Sequence, residues 1–171
     1  KWAGLSVEDA TLAGTFQADA DQSFTFQSRL DQLVWNNLTL SALELSAQGD
    51  AGGQAASLAT RGDVQGKLTL VGTAFGKLWR GELSPARLET PYGDWELTEP
   101  VGIAWAVDSK QLSLATHCWQ HQEARVCPQG WLLGEQGSGS LQATAGLALL
   151  PGLLPPGMSL DGDAQLQLDA Q

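Results

Sequence analysis

PYGDWELTEPVGIAWAVDSKQLSLATHCWQHQEARVC, residues 91–127, is the stretch whose pattern decides the fold. Within it Val101, Ile103, Trp105 and Val107 alternate strictly with Gly102, Ala104, Ala106 and Asp108. A period of two places the four bulky side chains on one face of a strand. After the turn-like Asp108-Ser109-Lys110 the pattern resumes at Leu112 and Leu114, and a polar run then separates Cys118 from Cys127. If that run turns at Gln122-Glu123, the two cysteines lie opposite each other, and a disulfide is expected. The turn lacks the Asn-Gly or Gly-rich pair that a two-residue connection prefers, so its register stays open.

Working outward, the same rhythm returns at Leu12, Gly14 and Phe16, at Phe24 and Phe26, at Leu68 and Leu70, and at Leu141, Ala143, Ala145 and Leu147. Ala164, Leu166, Leu168 and Ala170 close the chain in the same way. The parity slips once, from Leu38, Leu40 and Ala42 to Leu43, Leu45 and Ala47. A one-residue slip turns a strand inside out unless an extra residue is absorbed, so a bulge is expected near Ala42. Residues 49–56 (GDAGGQAA) and 134–139 read as soft loops. The proline-rich segment 149–156 reads as a short helical turn or apolar cap, because proline disfavours interior strands. No other window carries a 3.6-residue period. The chain is read as all-β, with roughly a dozen strands, arranged as a sandwich, a barrel or one long curled sheet.

Composition narrows the function classes. The 171 residues suit one β-rich unit spanning 1–171, and the abrupt start at Lys1-Trp2 reads as a segment excised from a longer chain. An export signal or membrane anchor is then expected outside it. Only 16% of residues are charged and the net charge is −10. Nucleic acid, which wants clustered cations, is a poor partner, and basic docking to an anionic membrane is equally disfavoured. No apolar run approaches the ~20 residues that span a bilayer.

Catalytic chemistry finds few footholds. The only histidines, His117 and His121, share one polar run, and no serine sits in a nucleophile-elbow pattern. Their spacing from Cys118 and Cys127 fits no common zinc pattern, and the hairpin puts cysteines and histidines on opposite faces. The Asp19/Asp21 and Asp161/Asp163 pairs lack the longer ligand series of a calcium loop. No cofactor is expected. Seven tryptophans suit β-sheet packing; a sugar-stacking platform would draw on Trp2, Trp35 and Trp131.

Several motifs together resemble one family. They are Trp79-Arg80-Gly81, the run Leu88-Glu89-Thr90-Pro91-Tyr92-Gly93-Asp94-Trp95-Glu96-Leu97-Thr98, His117-Cys118-Trp119, and Ala124-Arg125-Val126-Cys127-Pro128, followed by Leu160-Asp161-Gly162-Asp163-Ala164. This series resembles TamB, the AsmA-like family of the translocation and assembly module, most strongly over 67–171, and is assigned to the C-terminal part of such proteins. The resemblance implies a long β-sheet folded into a taco-like trough with an apolar concave lining. It also implies a periplasmic location behind an inner-membrane anchor, the outer-membrane barrel protein TamA as partner, phospholipid acyl chains in the trough, and no catalytic residues. Cys118 and Cys127 match the family's cysteine pair.

The lining residues expected on this reading are Leu68, Leu70, Val101, Ile103 and Trp105, with Val107, Leu112, Leu114, Leu141 and Leu147. A dozen strands about 4.8 Å apart would make a trough of roughly 50 Å, longer than one acyl chain. Two further readings are a chaperone-like binder of outer-membrane or autotransporter β-strands, which would use exposed sheet edges, and a carbohydrate-binding β-sandwich. In a sandwich the same lining residues would fill a sealed core.

Overall fold

A computed structural model describes residues 5–18, 22–35, 37–134, 137–146 and 162–170. Among these residues there is no helix, and the strands follow the alternation of the sequence. In chain order they are β1 (Leu5–Ser6), β2 (Asp9–Phe16), β3 (Phe24–Trp35), β4 (Leu38–Gly49), β5 (Gln54–Gly62), β6 (Gln65–Phe75), β7 (Leu78–Leu83), β8 (Ala86–Thr90), β9 (Gly93–Leu97), β10 (Val101–Ala106), β11 (Gln111–Leu114), β12 (Trp119–His121), β13 (Ala124–Leu133), β14 (Ser138–Gly146) and β15 (Asp163–Ala170). All fifteen belong to one antiparallel sheet. The segment 149–156, together with Leu147, Trp2, Asp19, Asp21 and Asp161, lies outside the described residues.

The sheet is continuous from β2 and β1, both on β3, through β4 and β5 to β6. Beyond β6 three strand positions are each broken in two. β7 and β8 both pair with β6; β10 pairs with β7 and β9 with β8; β11 and β12 both pair with β13. The breaks fall at Ser84-Pro85, at 98–100 and at 115–118, where the prolines 85 and 100 cannot donate to a ladder. From Leu70 to Gly66 on β6 is four steps, whereas the paired residues Leu83 and Leu88 are five apart. The extra residue lets Leu83 and Ala86, three apart, stay on one face. β14 and β15 continue the sheet beyond β13.

The bulge expected near Ala42 is present: the β4–β5 register shifts between Leu40 and Ala42. Opposite it, Gln32 adopts φ 52°. Two loops are shorter than the sequence suggests. Gly49 pairs with Gln54, so the first loop is confined to 50–53, where the Asp50 carboxylate accepts from the N–H groups of Gly52 and Gly53 at 2.7 and 3.0 Å. That local turn closes the hairpin and releases Gln54, Ala55 and Ala56 to the ladder. The second soft stretch likewise gives way to β14 at Ser138.

A second packed sheet is absent among the described residues, so the sandwich and its sealed core are set aside. Buried apolar residues there number five: Leu40, Ala42, Leu97, Val101 and Ala124. The accessible surface is 11782 Å², against about 8,100 Å² expected of a compact monomer of 18.1 kDa. Among the described residues one layer leaves both faces of the sheet uncovered.

Candidate functional site

Residues directly opposite in an antiparallel pair project to the same face, so the register traces each face across the sheet. Starting from β10, Val101 lies opposite Leu83, Ile103 opposite Gly81 and Leu114, and Trp105 opposite Trp79 and Leu112. Leu83 faces Leu70, which faces Ala56; Leu68 faces Leu58, which faces Leu45. The series continues through Leu43 with Leu30, Ala47 with Phe26 and Gly14, and Phe24 with Phe16. In the other direction Leu114 meets Trp131 and Leu112 meets Leu133. Below the breaks the same face carries Leu88, Trp95, Leu97, Trp119 and Val126, then Pro128 with Leu141 and Leu168. One apolar face therefore runs from β2 to β15.

Of the ten lining residues expected from the sequence, Leu68, Leu70, Val101, Ile103, Trp105, Leu112 and Leu114 lie on this face, joined through β7. Leu141 shares the face but lies beyond the breaks, in β14. Val107 sits in the turn after β10, its N–H donating to the Lys77 carbonyl at 2.9 Å, and is 53% exposed.

Several members of the face escaped the sequence reading as lining residues: Leu43, Leu45, Leu58, Leu83 and Trp79. Leu43 and Leu45 stand in the alternation already noted; pairing partners decide which strands share a face. A subtler feature is the placing of rings over glycines. A Cβ at Gly81 would fall 2.1 Å from the Trp79 Cη2, and one at Gly72 would fall 2.2 Å from its Cζ2. The Trp79 indole therefore lies across both glycines, and its Nε1–H donates to the Gln54 side chain on β5 at 2.9 Å. Trp131 likewise covers Gly139 and donates to the Ser140 carbonyl at 2.8 Å. The His121 ring covers Gly93 and stands 5.6 Å from the Trp95 ring. The signal was available in Trp79-Arg80-Gly81: a tryptophan two residues from a glycine on the same strand face, with glycine opposite.

The other face is polar. Arg80, Glu82, Lys67, Glu44, Arg29 and Asp31 follow one another across β7, β6, β4 and β3. Arg29 bridges Asp31 at 2.8 Å and also Glu44; Arg87 bridges Asp94 and Glu96. The hydrogen bond to Asp31, with Asp31 and Glu44 charges beside it, raises the Arg29 pKa above its ordinary value despite some desolvation, and Asp94 does the same for Arg87. Both guanidinium groups are cationic at any working pH. Two open depressions of about 860 and 680 Å³ are lined largely by this polar face, among them Thr25, Thr73 and Arg80 in the first and Gln27, Ser57 and Lys67 in the second. The apolar face presents no such recess among the depressions described.

Cys118 and Cys127 form a disulfide, with Cα atoms 4.1 Å apart. His121 lies opposite Ala124 and Trp119 opposite Val126, which is the register of a hairpin turning at Gln122-Glu123. The cysteines project opposite to Trp119. Each histidine Nδ1–H donates to a main-chain carbonyl, Ala115 for His117 and Asp94 for His121, both at 2.9 Å, so no carboxylate orients either ring. No group of three or more metal-ligating side chains occurs among the described residues. Trp35 ends β3, 56% exposed, with six strands between it and Trp131 in β13, so the two make no common sugar platform.

Comparison with known proteins places this architecture. The family described as "TamB, N-terminal domain" matches residues 1–171. The chain is 28% identical over 170 residues to the "Translocation and assembly module subunit TamB" of Haemophilus influenzae, an alignment covering 96% of this chain and 13% of that protein. No solved structure matches. The match to an N-terminal domain corrects the assignment to the C-terminal part: the alternation and strand spacing recur without any element that marks position along a longer protein. Its whole length being matched, the chain belongs to the TamB family, as a segment of the type found in that family's N-terminal domain.

Proposed function

We propose that this segment is a non-enzymatic part of a periplasmic conduit, its apolar face carrying phospholipid acyl chains toward the outer membrane in partnership with TamA. The observation that carries the reading is the largely apolar face of a single sheet, spanning β2 to β15 with no second layer over it among the described residues. An acyl chain brings no polar groups to desolvate, and its headgroup stays in water at the sheet margin. Leu97 and Val101, where the strands break, are the most deeply buried side chains of this face and mark where apolar contact is densest. The disulfide supports an oxidising compartment.

The direct test is detergent-free purification followed by lipid extraction and mass spectrometry. Phospholipid should accompany the native chain, and Leu58→Glu or Leu70→Glu should remove it. Ser57→Glu and Thr69→Glu, on the polar face, should leave it in place. Equal lipid loss in both pairs, or none with the native chain, would reject the conduit.

A second reading rests on the sheet's margins. Among the described residues β2 and β15 each pair along only one side, over eight residues in regular register, and neither contains lysine or proline to blunt its free edge. Such edges suit addition of an outer-membrane or autotransporter β-strand. Saturable binding of a β-signal peptide, abolished by Leu12→Pro, whose N–H lies on the free side of β2, would favour that reading; binding that survives the substitution would count against it.

A further inference from the structure

We propose that Trp79 is the contact residue on which the alkyl portion of the ligand lies, with Gln54 as its positioning residue. This deepens the conduit reading and rests on it. The indole is laid down rather than standing: its six-membered ring occupies the space that side chains at Gly72 and Gly81 would take, and Nε1–H is held by Gln54 Oε1. Gly72 and Gly81 face each other across β6 and β7, and Gln54 faces Gly72 from β5. One ring thus bridges three strands. Side chains on either side rise from the sheet, Leu70 and Leu83 one step along the strands and Trp105 beside Trp79. The flattened indole leaves a low, apolar row between them.

The chemistry of this row selects its occupant. The Trp79 indole N–H is already used, the neighbouring side chains Leu70, Leu83 and Ile103 offer no hydrogen-bonding group, and Trp105 brings a single indole N–H. A polypeptide laid here would bring a main-chain donor and acceptor at nearly every residue, with one indole N–H at most to pair them. An alkyl chain brings none, and a flat π-face gives it continuous dispersion contact. Gln54 matters because, without its acceptor, the indole N–H must seek water and the ring can rise into the row.

The test uses the chain labelled with 5-fluorotryptophan, its fluorine signals identified by single Trp→Phe variants and titrated with sodium dodecanoate below its micellar concentration. The Trp79 signal should shift saturably, and Gln54→Leu should weaken that response about fivefold, the loss expected of one hydrogen bond. Response at Trp105 and Trp131 with Trp79 unmoved would overturn the assignment while leaving the conduit standing. Silence at all three would overturn both. A Trp79 shift of unchanged affinity in Gln54→Leu would overturn the positioning role.

Discussion

The region from β3 to β6 and the region from β7 to β12 belong to one sheet yet are held together differently. In the first, strands of nine to twelve residues pair along nearly their whole length, with one bulge at Leu40–Ala42. In the second, strands of three to six residues stop at a common line. The most deeply buried side chains, Leu97 at 2% and Val101 at 1% exposure, flank that line on the apolar face. Where the main-chain ladder is interrupted, side-chain packing and a covalent link take over. The lone His117 N–H to Pro128 carbonyl bond, at 3.2 Å, is the main-chain tie between 115 and 118 and β13, and the cystine lies beside it.

The largest effect expected from this contrast comes from cutting into the packed break. Leu97→Ala should cost about 2–5 kcal/mol, as for other fully buried leucines, whereas Leu58→Ala, half-buried in the long ladder, should cost clearly less in the same urea titration. Equal losses would erase the distinction between the regions. Next in size is the cystine. Replacing both cysteines by serine should cost about 2–3 kcal/mol, with hydrogen exchange rising first at His117 and Trp119 and not along β4 or β5. Uniform acceleration would show that the disulfide supports the sheet as a whole. The smallest effect belongs to the ion pairs of the polar face. Arg29→Ala should leave the urea midpoint essentially unchanged, because exposed pairs are screened by solvent; a marked drop would mean that the long ladder depends on its charges after all.

This contrast also explains what could be read from the sequence. Alternation at Val101, Ile103, Trp105, Leu112 and Leu114 is a local signal, and it placed these residues on one face. The slip after Ala42 is equally local and marked its bulge. The cystine was legible because both cysteines lie within one hairpin. What could not be read is pairing between strands distant in sequence: that β8 returns to β6, that β12 and β11 share β13, and so that one broken sheet replaces two packed layers. Trp79 lying over Gly72 rests on the neighbouring β6–β7 hairpin, whose register sets Gly72 opposite Gly81. Val107 falls one residue past the end of β10, where alternation in the sequence runs on into the turn.

The central claim, that the apolar face meets lipid, is most directly tested by site-specific photo-crosslinking in the periplasm at two adjacent residues of β10. Ile103 lies with Gly81 and Leu114 on the apolar face, and Ala104 lies with Arg80 and Ser113 on the polar one. Phospholipid adducts at Ile103 and none at Ala104 are the predicted result. Adducts at Ala104 alone, or at neither position, would contradict the account.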